Sequence, residues 1–184
     1  MHPIKFVWGF RALLYKMFFG HIGNLTYIGK PCFLEGCKNI FIGNKTRIFP
    51  GIRMEAISEG IIKIGDNCAI EQNVHITSGG KLVIHNNVTI SANTFITNID
   101  HEYSDINKSV MDQGHIIKET IIEEGCFIGY GAAIQSGTKL GKHCVVGTNS
   151  VVRGEYPDYS VIVGSPGRIV KRFDIQQNKW VKIK

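Results

Sequence analysis

Six aliphatic residues toward the C-terminal end recur without a gap at every sixth position: Ile122, Ile128, Ile134, Leu140, Val146 and Val152. Thin side chains stand four places after each of the first five, at Cys126, Ala132, Thr138, Cys144 and Ser150, and Gly follows directly at 129, 141 and 147. A period of six matches neither the 3.6 of a helix nor the 2 of an extended strand. It fits a short strand and a tight turn, repeated around the sides of a prism. One aliphatic per side points inward, and a small residue sits where the chain turns. Three sides make a coil of about eighteen residues, and coils stack at about 4.8 Å so that each backbone group pairs with the coils above and below. A single coil cannot bury its apolar face, so several must stack.

The same beat runs earlier in the chain. Ile28 and Leu34 carry it, then Ile42, Ile48 and Met54, then Ile64, Ile70 and Ile76, then Ile84, Ile90 and Ile96. Two-residue slips separate Leu34 from Ile42 and Ile76 from Ile84. The phrases Ile42-Gly43-Asn44, Ile64-Gly65-Asp66-Asn67 and Ile84-His85-Asn86-Asn87 supply turn residues that tolerate positive φ. The pattern predicts an all-β solenoid over 24–165, with an inserted loop at 97–120 where the beat is lost between Ile96 and Ile122.

Before the solenoid, in the segment 1–23, Phe6, Phe10, Leu13, Leu14 and Met17 follow helical spacing, with Lys5, Arg11 and Lys16 elsewhere on the wheel. No small-residue cleavage site follows, so the stretch does not read as a signal peptide. It is expected to form a helical cap on the end of the solenoid, which must be covered. The alternative is a basic amphipathic helix, residues 1–20, making peripheral contact with a membrane.

Composition narrows the picture. The 184 residues suit one domain, and no apolar run approaches a membrane span. Of five cysteines, Cys32, Cys68, Cys126 and Cys144 fall at the small-residue place of a hexad, which predicts buried packing. There is no CxxC pair, so no metal is expected, and free thiols suggest the cytoplasm, with the inner face of its membrane as the alternative place. The net charge of +6 is concentrated at the end, where 166–184 form a basic tail: Arg168, Lys171, Arg172, Lys179, Lys182 and Lys184 against Asp174. Such a run is a solvated tail or meets a phosphate-bearing ligand. No recognition helix, zinc finger or aromatic nucleic-acid motif accompanies it, so nucleic acid is not an expected partner.

Long insertions in repeat proteins are usually functional loops on one face. In this one, His101 lies between Asp100 and Glu102, with Tyr103 and Asp105 beyond. Histidine is suited to move a proton near neutral pH, and neighbouring carboxylates can fix its tautomer. Of the other histidines, His2 and His21 precede the solenoid, His85 and His143 fall at turns, and His115 lies near the far end of the insertion. His75, one place before the inward Ile76, points outward. His101 and His75 are the two candidates.

The hexads, the broken coil with its Asp-His and the ending Gly164-Ser165-Pro166-Gly167-Arg168 together resemble the hexapeptide-repeat acyltransferases over about residues 24–172. Within them the chain is most similar to maltose/galactoside-type sugar O-acetyltransferases and to enzymes that acetylate bacterial surface polysaccharides. The resemblance implies a left-handed parallel β-helix, a homotrimer with sites between subunits, acetyl-CoA as acyl donor and a sugar or glycan acceptor. It puts the catalytic base at His101 and an acceptor contact at Asn73; His75, Asp100 and Tyr103 are the further acceptor-contact candidates, from their places beside Asn73 and His101. CoA-arm contacts fall on Tyr130, Thr148, Val152 and Arg153, and contacts with the nucleotide end on Arg168 and Lys171. The chain departs from the family pattern at Glu102, where Pro is common, at Phe127, where Trp is frequent, and at Gly167, in place of Ala or Cys. The implied chemistry is direct transfer, with the oxyanion held by backbone N–H groups of a facing turn. Two rival classes share the scaffold: a zinc hydratase of carbonic-anhydrase type, needing three converging histidines, and a non-catalytic binding solenoid.

Overall fold

A computed structural model describes residues 4–183; His2 and Lys184 lie outside them. A helix, Ile4–Tyr15, leads into a three-sided, left-handed parallel β-solenoid. The first side is a 7-stranded sheet from His21–Ile22 to Glu155–Tyr156, and the third a 6-stranded sheet from Phe33–Glu35 to Val151–Val152. The second side carries seven parallel strands, from Tyr27–Ile28 to Ser160–Val163, and is extended by two more. Register is kept from coil to coil: Ile22, Ile42, Ile64, Ile84, Ile122 and Leu140 stack on the first side, and Ile28, Ile48, Ile70, Ile90, Ile128 and Val146 on the second. All of these aliphatics are buried, and so are the thin residues Cys126, Ala132, Thr138, Cys144 and Ser150.

The corners explain the slips. Each extra residue falls where the third side turns into the first, between Glu35 and Ile40, Ala56 and Ile61, Ser78 and Lys81, and Thr97 and Thr120. The long insertion is therefore the largest member of a series of expanded turns at one corner. It is not a loop throughout. Ile99–His101 and His115–Ile117 form an antiparallel ladder that pairs His101 with His115.

Three expectations need correction. Cys32 is exposed, while Cys68, Cys126 and Cys144 are buried. Cys32 lies in the first coil, where no coil beneath covers the third side, and the helix packs mainly on the opening strands of the other two sides. Val152 is fully buried in the prism, so its side chain cannot line an outer groove. The basic ending is largely exposed but is not an irregular tail. Arg168–Asp174 pairs antiparallel with Ser160–Val163, and Lys179–Lys182 adds a further antiparallel strand.

The helix covers the open end with Ala12, which joins the core cluster containing Phe19, Ile22 and Ile28. Trp8 packs edge-on against Phe49 and beside Tyr27, and Arg11 Nη1 donates to the carbonyl of Ile28 at 2.9 Å. No helix among the described residues is long and apolar enough to cross a membrane.

Candidate active site at the expanded corner

Buried polar contacts hold the root of the inserted hairpin. The fully buried Asn98 accepts from the N–H of Gly79 at 2.9 Å and donates to Ser78 Oγ at 3.1 Å. Its carbonyl accepts from Ser136 Oγ and from the N–H of Lys118. Thr120 Oγ1 donates to the carbonyl of Thr97 across the base of the loop. A buried amide with its partners in place specifies one arrangement, because leaving any of them unpaired costs desolvation. Ile117 then lies across Gly79 and Gly80: a Cβ added at Gly80 would sit 2.6 Å from Ile117 Cγ2. Absent side chains at that turn make the seat for the hairpin.

The hairpin overhangs a cavity of about 440 Å³ at the corner. Its polar lining includes His75, Thr77, Asp100, His101, His115 and Gln135, with Phe95 and Ile99 among the apolar wall. The rings of His101 and His115 are 4.8 Å apart and tilted at 60°. Asp100 and Arg153, assigned above to acceptor and donor, are joined to each other by two hydrogen bonds of 2.8 and 2.9 Å. Arg153 Nε also donates to Gln135 Oε1 at 2.9 Å. This bidentate fork ties the hairpin to the two coils that follow it.

His75 stands below the hairpin, half-buried. Its Nε2 is 2.8 Å from Thr77 Oγ1 and 3.7 Å from the carboxylate of Glu55. Glu55 is buried although its position in the strand faces outward, because Arg53 and His75 close over it, Arg53 by hydrogen bond. Burial pulls the His75 imidazole below its usual value; Glu55 opposes that shift and Arg53 adds to it. His75 is therefore predominantly neutral at pH 7 and can accept a proton. Glu102, which stands where Pro is common, accepts from the N–H groups of Tyr103 and Ser104, and those bonds hold its carboxyl below the usual range.

The remaining sequence-derived residues divide by place. Asn73, Tyr130 and Thr148 lie at the opposite edge of the third side, on turns leading in from the second. Asn73 is a turn residue with φ 57°, and Tyr130 Oη accepts from Asn93 Nδ2 one coil below. Tyr103 is exposed and outside the cavity lining, and Arg168 and Lys171 are exposed on the appended strand. Within one chain, then, the structure brings together His75, Asp100, His101 and Arg153 and leaves the others apart. Sequence reasoning missed His115, Gln135, Thr77 and Glu55. The insertion does hold a signal for His115: Ile99-Asp100-His101 and His115-Ile116-Ile117 mirror each other as the arms of a hairpin do.

Between the two edges, the outward column of the third side runs Phe33, Arg53, His75, Phe95, Ala133, Val151. Large side chains below the hairpin give way to smaller ones above it, at Ala133 and Val151. Two of the buried thiols are poor nucleophiles: pairing with Cys144 and burial push Cys126 up, and burial pushes Cys68 up, while the same pairing lowers Cys144. Three histidines line the cavity, yet among the described residues no three His, Cys, Asp or Glu side chains converge to hold a metal ion.

Residues 119–154 match the family model described as bacterial transferase hexapeptide (six repeats). An Escherichia coli protein, WbbJ, named for O-acetyl transfer in lipopolysaccharide biosynthesis, is 29% identical over 93% of this chain and 89% of its own. A hexapeptide-repeat-containing acetyltransferase of Vibrio cholerae, solved with acetyl-coenzyme A, is 26% identical with a TM-score of 0.65, covering 89% of this chain and 76% of that one. AntD of Bacillus cereus, an N-acyltransferase solved with dTDP and 3-hydroxybutyryl-CoA, has the same fold: TM-score 0.77, 21% identity, 91% of this chain and 90% of that one.

Proposed function

Because the chain belongs to the hexapeptide-repeat acyltransferases, we propose that it transfers an acetyl group from acetyl-CoA to a hydroxyl of a sugar or surface-polysaccharide precursor, with His101 as general base. The observation that carries this reading is the pairing of His101 with His115 at a cavity beside the column of Phe95, Ala133 and Val151. The acetyl-CoA of the Vibrio relative and the activity for which the Escherichia relative is named support the donor and the acceptor class.

In this reading His101 takes the proton of the acceptor hydroxyl as its oxygen attacks the thioester carbonyl. The tetrahedral adduct collapses with cleavage of the carbon–sulfur bond, and His101 returns the proton to the departing thiolate. No acyl-enzyme is required. His115 and the Asp100–Arg153 fork position His101, and holding both substrates in one groove supplies much of the rate. His75 and Thr77 face the acceptor. The pantetheine arm follows the small column of the upper coils, and Arg168 and Lys171 meet the phosphates. The two clusters at opposite edges of the third side suit a homotrimer in which Asn73, Tyr130 and Thr148 of one subunit face the histidines of another. Five free thiols fit the cytoplasm.

A specific observation favours a second base. His75 is half-buried, neutral and backed by Glu55, in the same cavity. Acetyl-CoA turnover is to be measured against a panel of nucleotide sugars and glycans, amino sugars included, for wild type, His101→Ala and His75→Ala. Acceptor-dependent CoA release with O-acetylated product is expected. An N-acetylated product would replace hydroxyl by amine, and absence of acetyl-CoA binding would overturn the reading.

A further inference from the structure

A helix that caps a solenoid normally buries its apolar face and shows water a polar one. The helix Ile4–Tyr15 does the first and not the second. Trp8 and Ala12 are buried, while Phe6, Phe10, Leu13 and Met17, spaced to form one stripe on the opposite side, are 66%, 63%, 60% and 73% exposed. Val7, Leu14 and Phe18 widen the stripe and are also exposed.

The apolar surface continues onto the solenoid. In the turn column that holds Lys45, Asn67, Asn87 and His143, the first coil has Leu25, with φ 58° and 79% exposed, lining one hollow with Leu13. A branched aliphatic in a left-handed turn, aimed at water, has no role in the core. Past the end of the helix, a cleft of about 470 Å³ is lined by Tyr15, Phe18, Phe19 and Leu34, with Lys38 at its rim.

Charge accompanies this surface. The first acidic residue of the sequence is Glu35, whereas Lys5, Arg11, Lys16 and Lys30 precede it. Lys5 lies over the Tyr27 ring, Arg11 is bonded to Ile28 and Lys16 to Asn24, so the cations flank the stripe. An apolar face rich in Phe and Leu, edged by Lys and Arg, is the pattern of a helix lying in a membrane interface. A second copy of the chain fits less well, because a two-fold pair would set the cations beside one stripe against those beside the other, with no acidic residue before Glu35 to offset them.

We propose that the outer face of this helix, with Leu25 and the neighbouring cleft, docks the protein on an anionic lipid surface. The inference does not depend on the acetyl-transfer reading. Full-length protein is floated with vesicles of phosphatidylcholine alone and of phosphatidylcholine with phosphatidylglycerol in equal parts. Binding is expected to the second and not the first. Phe10→Glu with Leu13→Glu, which leaves Trp8 and Ala12 in place, should abolish it with an unchanged melting temperature. Lys5→Gln and Lys16→Gln should each weaken it about fivefold. His101→Ala should bind as wild type does, so that the two readings fail separately. Wild type that does not float with anionic vesicles overturns the proposal, as does equal flotation of the double variant. A smaller assembly of the double variant by light scattering, without lipid binding by wild type, would assign the face to a second copy instead.

Discussion

The upper coils, Ile122 to Val152, and the corner that carries the 97–120 insertion share one inward ladder and differ in their turns. Above, a hexad follows a hexad, and Ile134 leads to Leu140 with nothing added. At the corner where the third side meets the first, the lower coils add residues four times, and the last addition carries His101 and His115. The stacking of Ile, Leu and Val does not register what the turns contain, so loops can be rebuilt without disturbing the prism. Under the proposed reading, the difference teaches that stability and chemistry occupy separate positions of the same repeat. Substitutions should divide accordingly.

The largest stability loss is expected in the ladder. Ile134→Ala removes a fully buried side chain between paired coils and should cost about 2–5 kcal/mol in denaturant unfolding. A loss confined to catalysis would break the division. Asn98→Ala tests the hinge between the regions. It strips partners from buried groups at the hairpin root and should cost about 1–3 kcal/mol while also slowing transfer, since His101 is three residues on. Arg153→Gln opens the fork to Asp100, an exposed pair worth about 0.2–1 kcal/mol. Melting should hardly move, while kcat falls more than KM rises if Arg153 positions the hairpin.

The smallest effect concerns pH. His75 has a lower affinity for protons in the folded than in the unfolded chain, so the unfolded state binds more protons as pH falls below its usual value of about 6.5. Stability present above that pH declines on acidification toward the lower folded value and then levels. His75→Asn should flatten this part of the profile measured by thermal unfolding. An unchanged slope would show that His75 is not the source.

The solenoid was legible because one large aliphatic per hexad is a packing requirement that repeats. The same parity misled at particular places. Val152 belongs to the ladder and faces the core, while Val151 beside it has the outward parity. Cys32 keeps the small-residue place, but its coil is the first and its corner is uncovered. Glu55 has outward parity and is nonetheless buried, because Arg53 and His75 lie over it from its own strand and the next. Such closure depends on side chains twenty or so residues apart, which a local period does not encode. His115 was missed for a related reason: an antiparallel ladder inside the insertion obeys its own register, not the six-residue one. At the end of the chain, Ile169 and Val170 are followed by Lys171 and Arg172 without a period of two, so no strand was legible there; Asn178, at φ 48°, marks the turn of that hairpin.

The central claim is that the base stands on the inserted hairpin and not on the wall of the solenoid. Acceptor-dependent CoA release by His101→Ala and His75→Ala, each with wild-type melting, tests it most directly. The account predicts a loss of about 10²–10⁴-fold for His101→Ala and a smaller loss, largely in KM, for His75→Ala. Near-wild-type turnover by His101→Ala, with the large loss transferred to His75→Ala, would contradict it.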